Sequence, residues 1–261
     1  MLAKQRQAVI LELVRRHGGV RVAQLTEELG VSDITVRRDL DVLAREGLIE
    51  KVHGGATIAS TASTSSVDEP GFEAKSSQQL REKDAIAAAA LEFVRPGSAI
   101  GISAGTTTWA LARRLANVPD LTIVTNSLRI ADLVTKGPGG ATVILTGGVR
   151  TLSDALVGPV ADLTVRSLHF DTFFLGCHGM SLEAGLTAPN LAESETNRGF
   201  IRAARSVVLL ADHTKWGTVG LSSFGELSEV DVLVTDDGFP TDELATVEEC
   251  IATVVRAPVV A

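Results

Sequence analysis

The chain has 261 residues, 45% of them hydrophobic, which is enough to form one large or two modest packed domains and excludes wholesale disorder. Two distant cysteines, no apolar run of membrane-helix length and a charged N-terminus exclude a disulfide scaffold, a zinc finger, a membrane span and a signal peptide, so we expect a cytoplasmic protein. The net charge of −8 is unevenly distributed along the chain. Residues 1–58 hold nine basic and eight acidic residues, so all the net negative charge lies beyond them. A polyanion can therefore bind only at the N-terminal end, because charge acts locally.

Residues 1–58 predict a compact helical segment that ends in a hairpin. Apolar residues at helical spacing, glycine stop signals and the capping residue Ser32 predict helices over 5–16, 22–29 and 33–45. In the third helix Val36, Leu40 and Leu43 face inward. Residues 48–52 and 53–58 then predict a small β-hairpin with glycines at its tip.

The composition changes at residue 59, where a small, polar stretch without periodicity indicates a linker. We therefore predict three parts: an N-terminal helical domain over residues 1–58, a linker over 59–71, and an α/β domain over 72–261.

Beyond the linker, short β-rich runs alternate with helical stretches. This alternation predicts an α/β fold with a mostly parallel sheet, whose ligands bind at the carboxyl ends of the strands. The predicted strands are 99–102, 121–125, 142–146, 171–175, 207–211 and 230–235. The predicted helices are 83–93, 108–116, 128–135, 161–167, 192–204 and 241–252.

The arrangement of helix, glycine turn and capped helix with paired arginines is typical of a helix-turn-helix. The amides at the start of the third helix can bind a phosphate, and arginines can contact guanine or phosphate. The glycine-rich hairpin tip lets the backbone approach DNA closely. The predicted DNA-contacting residues are Ser32, Thr35, Arg37, Arg38, Lys51, His53 and Gly54. The alternative is a generic helical module in which Asp39 and Asp41 merely neutralise the arginines.

The stretch from Val22 to Leu40, with Leu-Gly-Val-Ser-Asp-Ile-Thr-Val-Arg-Arg-Asp-Leu at its end, and His53-Gly54-Gly55-Ala56 closely resemble the winged-helix signature of the DeoR family of bacterial transcription regulators. The resemblance implies a repressor of sugar-metabolism genes that binds operator DNA. It also implies a C-terminal domain similar in fold to ribose-5-phosphate isomerase and glucosamine-6-phosphate deaminase, which senses a phosphorylated sugar. A single near-neutral DNA-binding module binds weakly, so we expect a homo-oligomer, either a dimer or a tetramer.

A second cluster follows the predicted strand 99–102, where a loop of small residues begins a helix. Such a loop presents backbone amides and hydroxyls to an anion, although the threonines could equally only cap the helix. Other predicted strands end in glycine or polar residues and can share the same edge. The predicted ligand-contacting residues are Ser103, Gly105, Thr106, Thr107, Asn126, Gly147, His178, Glu195 and Lys215.

Three positions depart from the pattern that the DeoR resemblance implies. Ser103 and His178 stand where family members usually carry aspartates, and Asn197 stands where a lysine is frequent. These changes remove two hydrogen-bond acceptors for sugar hydroxyls and one cation. We therefore expect that the phosphate-binding loop is retained and that the residues contacting the sugar differ from those of other family members.

Two enzyme hypotheses compete with the regulator. Residues 101–105 match Gly-x-Ser-x-Gly, which would make Ser103 a nucleophile with Asp171 or Asp212 and His178 or His213 as partners. The stronger alternative is a sugar-phosphate isomerase or deaminase with Glu193 or Glu195 as the base. We predict no catalytic residue, cofactor or metal, because fold similarity does not carry activity and the histidines form no ligand cluster.

Overall fold

The computed structural model describes residues 3–17, 19–45, 48–52, 55–58 and 71–259. Contacts between residues divide the chain into two compact units, Met1–Ser65 and Ser66–Ala261. The proposed linker, residues 59–71, lies outside the described residues except for Gly71.

The N-terminal unit consists of three helices and a three-stranded antiparallel sheet. In chain order its elements are α1 (Ala3–His17), β1 (Gly19–Arg21), α2 (Val22–Leu29), α3 (Asp33–Arg45), β2 (Ile49–Val52) and β3 (Gly55–Ile58). Strand β3 lies between β1 and β2. Ile10, Leu25, Val36 and Leu40 are completely buried, because apolar residues at helical spacing share the inner face of each helix. This is the winged helix-turn-helix fold that the sequence predicts.

Two glycines shape this unit. Gly30 ends α2 with φ of +62°, a conformation that glycine adopts without strain, and so allows the short turn into α3. At Gly55 a Cβ atom would lie 2.2 Å from the carbonyl oxygen of Val20, so only glycine lets β3 approach β1. Strand β1 was not predicted, because a three-residue strand shows no alternating pattern.

The C-terminal unit contains seven helices, twelve strands and four single turns of 3-10 helix among its described residues. Its helices are α4 (Phe72–Ser76), α5 (Leu80–Ala90), α6 (Thr106–Ala112), α7 (Leu128–Lys136), α8 (Pro159–Arg166), α9 (Leu191–Ala203) and α10 (Thr241–Cys250). Its strands are β4 (Ala99–Ile102), β5 (Thr122–Thr125), β6 (Thr142–Leu145), β7 (Val149–Arg150), β8 (Leu156–Val157), β9 (Thr172–Leu175), β10 (Gly179–Ser181), β11 (Gly185–Ala188), β12 (Val207–Leu210), β13 (Ser222–Gly225), β14 (Val232–Asp236) and β15 (Thr253–Ala257). The 3-10 turns are Leu91–Phe93, Leu115–Asn117, His213–Lys215 and Leu227–Glu229.

A seven-stranded parallel sheet forms the centre of this unit, in the order β15-β14-β12-β9-β4-β5-β6. Helices α5, α6 and α7 pack on one face, and α8, α9 and α10 contribute to the core on the other. Side chains alternate between the faces along each strand, so Phe173 belongs to one core and Phe174 to the other. The predicted α/β fold with a parallel sheet is confirmed.

The order in which the chain adds strands to the parallel sheet reverses between β4 and β9. From β4 the chain adds β5 and β6 on one side, and then returns to add β9, β12, β14 and β15 on the other. Open parallel sheets bind ligands in the crevice at such a switch point, outside the carboxyl ends of the strands. The loops after β4 and β9 therefore lie where a ligand site is expected.

Candidate functional sites

The start of α3 is built around Ser32. The Thr35 amide donates a hydrogen bond to Ser32 Oγ at 3.4 Å, and the hydroxyls of Ser32 and Thr35 lie 2.9 Å apart. Ser32 is exposed. Both hydroxyls thus lie at the positive end of a 13-residue helix, a position that suits a phosphate group.

Arg37 and Arg38 are exposed on α3, next to the buried Val36. The Arg37 guanidinium donates to the Asp33 carboxylate one turn earlier, and this hydrogen bond raises the pKa of Arg37. Arg38 makes no side-chain hydrogen bond or ion pair within the part of the chain that the structure describes. Arg38 is therefore the arginine that can contact DNA without first leaving a partner.

Asp39 does not neutralise these arginines, as the alternative interpretation required. It is 4% exposed and accepts hydrogen bonds from Arg6 Nε at 2.5 Å and from Gln7 Nε2 at 3.0 Å, both on α1. The Asp39 carboxylate therefore joins α3 to α1 inside the unit. Asp41 is exposed, and its charge contributes to the raised pKa of Arg37.

The hairpin predictions are only partly covered by the structure. Lys51 lies in β2, opposite Ala56 of β3. His53 and Gly54 lie outside the described residues. Their contact with DNA remains a prediction.

In the C-terminal unit a pocket opens at the sheet's switch point. Its walls come from the loops after β4 and β9, the turn after β12, helix α9 and the segment 72–83. The lining residues include Lys83, Gly105, Thr106, Thr107, Cys177, His178, Glu193, Asn197 and Lys215. Five of the nine predicted ligand-contacting residues are among them.

The loop after β4 presents unused backbone amides to this pocket. The amides of Thr106 and Thr107, in the first turn of α6, have no hydrogen-bond acceptor among the described residues. The Thr108 hydroxyl, in contrast, donates to the carbonyl oxygens of Ser103 and Gly105, at 2.8 and 3.1 Å. The loop therefore has free donors for an anion and is held in shape from within.

Ser103 and Asn126 support this loop from beneath and do not line the pocket. Ser103 is 1% exposed, and its Oγ accepts from the Gly176 amide at 3.0 Å. Asn126 Oδ1 accepts from the Ala104 amide at 2.8 Å. No histidine among the described residues bonds to Ser103, so this geometry gives no support to the nucleophile hypothesis.

Lys83, which the sequence analysis did not select, is buried in the pocket wall. Its Nζ donates to the carbonyl oxygens of Lys75 and Gln78, at 2.7 Å each. Burial lowers the pKa of Lys83 to about 8, and the positive charges of Lys215 and Lys75 act in the same direction, against that of Asp212. Burial likewise raises the pKa of the Cys177 thiol, which lines the same pocket, to about 12, so this thiol stays protonated at neutral pH.

Helix α9 contributes Glu193 and Asn197 to the pocket in place of the predicted Glu195. Residues four positions apart share a helix face, whereas Glu195 lies two positions from each and points elsewhere. Glu195 pairs with Arg166 at 3.3 Å and with Arg198 at 3.1 Å. The choice of Glu195 as a pocket residue is thus corrected to Glu193, whose Oε1 accepts from Ser153 Oγ at 2.6 Å.

Gly147 lies outside the pocket lining, in the turn that leads to β7, with φ of +72°. The β7–β8 hairpin instead brings Ser153 to the pocket. The next residue, Asp154, has φ of +63° and accepts from Arg129 at 2.5 Å and from Arg150 at 2.7 Å. These hydrogen bonds lower the pKa of Asp154.

The pocket residues that the sequence analysis missed lack a local signal. Lys83 is the first residue of the predicted helix 83–93, and Ser153 lies between predicted elements. Ser153 and Lys83 join the pocket through long-range packing, which periodicity does not report. The i, i+4 spacing of Glu193 and Asn197 was the one usable signal.

Within the described ranges no group of three or more histidine, cysteine, aspartate or glutamate residues could hold a metal ion. None of the helices described in the chain is both long and apolar enough to cross a membrane.

Comparison with known families agrees with both parts of the structure. The DeoR-like helix-turn-helix domain matches residues 6–62, and the DeoR C terminal sensor domain matches residues 78–237. The chain belongs to the DeoR family. The predicted family is thereby confirmed, and the α3 surface and the switch-point pocket lie in the DeoR helix-turn-helix and sensor domains respectively.

Relatives across almost the whole chain are regulators. This DeoR-family chain is 38% identical over 256 residues to the HTH-type transcriptional regulator GlpR of Haloferax volcanii, covering 98% of each chain. It is 34% identical over 236 residues to the glycerol-3-phosphate regulon repressor of Escherichia coli K12, covering 90% of this chain and 92% of that one. The predicted function as a DNA-binding transcriptional regulator with a sensor domain is confirmed.

Among solved structures, a D-ribose-5-phosphate isomerase in complex with phospho-erythronic acid matches 51% of this chain and 52% of its own, with a TM-score of 0.39 and 16% identity.

Proposed function

We propose that this DeoR-family protein is a repressor whose binding to operator DNA is modulated by a phosphorylated sugar or polyol in the switch-point pocket. The observation that carries the proposal is the pocket's donor set: unused amides of Thr106 and Thr107 together with the ammonium groups of Lys83 and Lys215. Backbone amides and lysines are the groups that bind phosphate. Repression and the metabolite class are further supported by the name of the Escherichia coli relative.

A thermal-shift screen of the full-length protein tests the effector. Sugar phosphates are each paired with the unphosphorylated sugar, and we expect stabilisation only by phosphorylated compounds. A ligand at 100 times its Kd stabilises by about 2.7 kcal/mol, which is a shift of several degrees for a chain of this size. If no compound of the panel raises the melting temperature, the proposal is overturned.

The variant Thr106→Pro tests whether the backbone amides after β4 bind the ligand. Thr106 is the first residue of α6, where proline fits a helix, and Gly105 before it is extended. The change removes one unused amide and leaves the hydrogen bonds of the fold intact. We expect Thr106→Pro to lose most of the ligand shift, whereas Thr106→Ala, which keeps the amide, retains it.

We propose that the pocket binds without catalysis. At the position where the DeoR resemblance implies an aspartate the chain has His178, and Glu193 is engaged by Ser153. Incubation with ribose 5-phosphate and glucosamine 6-phosphate should give no product above that from a Thr106→Pro preparation. Turnover that the variant loses would favour the isomerase or deaminase alternative.

We further propose that residues 59–71 link the two domains, that the protein acts in the cytoplasm, where operator DNA lies, and that it assembles as a homo-oligomer. The stretch 59–71 is small, polar and without lysine or arginine, so elastase, which cuts after small residues, suits it. Limited digestion should release a stable fragment that begins between residues 60 and 68. First cuts within either domain would contradict the boundaries.

A further inference from the structure

The pocket has two ends with different anion-binding groups. The loop with Thr106 and Thr107 follows β4, whereas Lys215 lies in the turn after β12. Strand β9 lies between β4 and β12 in the sheet. Neighbouring strands are about 4.8 Å apart, so the two ends are separated by roughly 10 Å.

The β12 end holds an excess of positive charge. Lys83 and Lys215 both line the pocket, and the charges of Lys215 and Asp212 both act on the ammonium of Lys83. Asp212 is 1% exposed, and Thr214 occupies only one of its carboxylate oxygens. Its other oxygen is buried without a hydrogen-bond partner among the described residues.

Lys83 and Lys215 are arranged to receive an anion. Two carbonyl oxygens fix the Lys83 ammonium at the pocket wall, which leaves a third N–H for a ligand. Lys215 is half-buried, and its ammonium makes no hydrogen bond or ion pair with the described residues. Because the charge of Lys215 acts on Lys83 and only one buried carboxylate, that of Asp212, offsets it among the charges named here, a further negative charge stabilises the two ammonium groups.

We propose that Lys83 and Lys215 form a second anion subsite, and that the effector is a sugar with an anionic group at each end, either a sugar bisphosphate or a phosphorylated sugar acid. This inference rests on the proposed function. One phosphate occupies the amides after β4, and the second anion lies against the two lysines. A five- or six-carbon chain reaches both ends, and Glu193 and Asn197 line the same pocket as partners for its hydroxyls.

Isothermal titration of the full-length protein tests the second subsite. The probes are fructose 1,6-bisphosphate against fructose 1-phosphate and fructose 6-phosphate, and 6-phosphogluconate against glucose 6-phosphate. At least one doubly anionic probe should bind roughly 10- to 100-fold more tightly than its monophosphates, which is the effect of one charged hydrogen-bonded contact.

Lys215→Met should abolish this advantage, because it weakens the doubly anionic probes far more than the monophosphates, which keep the amides of Thr106 and Thr107. Lys215→Arg should restore part of it. Lys136→Met is the matched control, because Lys136 is exposed on α7 and pairs with Asp132, away from the pocket. Monophosphates that bind as tightly as the doubly anionic probes would overturn the second subsite and leave the proposed function standing. If no phosphorylated probe binds, both fall.

Discussion

At the scale of single residues, Lys83 is the most informative side chain of the sensor domain. Its ammonium is buried, and its hydrogen-bond partners among the described residues are two backbone carbonyl oxygens. Keeping a charge in such a place costs stability unless an anion joins it. A bound phosphate or carboxylate offsets this stability cost, which supports a role for Lys83 in ligand binding.

The lowered pKa of Lys83 predicts a pH dependence of stability. Burial is the main cause; Lys215 and Lys75 lower the pKa further to about 8, whereas Asp212 and Glu82 raise it. An unfolded lysine titrates near 10.4, so between about pH 8 and pH 10 the unfolded chain binds more protons and Lys83 contributes stability that rises with pH. We expect the Tm of the wild type minus that of Lys83→Met to increase from pH 7.5 to 9.5. A constant difference would contradict this, and Lys136→Met should show none.

In the DNA-binding domain, Arg37 and Arg38 should differ in effect. Arg38 has no partner among the described residues, whereas Arg37 is paired with Asp33. On a DNA site selected from a random library with the full-length protein, Arg38→Ala should cost about 1–3 kcal/mol of binding if it reads a base. Arg37→Ala should cost less and mainly reduce the salt dependence. Fluorescence anisotropy on selected and scrambled DNA measures both, and unchanged binding by Arg38→Ala would contradict the assignment of α3.

At the scale of elements, the β7–β8 hairpin depends on Asp154. Its carboxylate accepts from Arg129 of α7 and Arg150 of β7, and so fixes the turn that carries Ser153 to the pocket. Because these hydrogen bonds lower the pKa of Asp154, its contribution is present above about pH 4, the unfolded pKa, and is lost as pH falls through the lower folded pKa.

Two substitutions at Asp154 separate the contribution of its charge to stability from that of its backbone conformation. Asparagine tolerates the positive φ of this position, and alanine does not. Asp154→Asn should therefore cost about 1–3 kcal/mol through the lost charged hydrogen bonds, and Asp154→Ala should cost more. Urea unfolding measures both at pH 7. Equal losses would show that the backbone conformation contributes nothing.

Element by element, the sequence predicts what depends on local pattern. The six predicted strands and the helices α2 and α3 follow from periodicity and caps, and the structure contains all of them. Strand β15 was not predicted: the last predicted helix, 241–252, extends two residues beyond α10, and no element was assigned to the residues after it. Five predicted residues line the pocket because strand ends share one sheet edge. Lys83 and Ser153 depend on long-range packing and were not accessible to the same reasoning.

At the scale of the whole molecule, the central question is how the sensor domain controls DNA binding. A ligand shifts the protein only through different affinities for its DNA-competent and DNA-incompetent states, and the effect is reciprocal. Operator binding must therefore change effector affinity by the same factor that the effector changes operator affinity.

The homo-oligomer is a prediction at this same scale. The DNA-binding part of the chain is close to neutral, so affinity for DNA has to come from two or more copies held together. Sedimentation equilibrium should give a mass that is two or four times 27.4 kDa. A monomer that binds its selected site tightly would contradict the prediction.

The most direct test measures DNA affinity with and without the effector. Fluorescence anisotropy is recorded for the full-length protein on its selected site, with the phosphorylated compound that gives the largest thermal shift and with its unphosphorylated counterpart. We expect that only the phosphorylated compound changes the Kd for DNA, by roughly 5- to 150-fold, and that Thr106→Pro loses the response while still binding DNA. A compound that binds the pocket and leaves DNA affinity unchanged would contradict it.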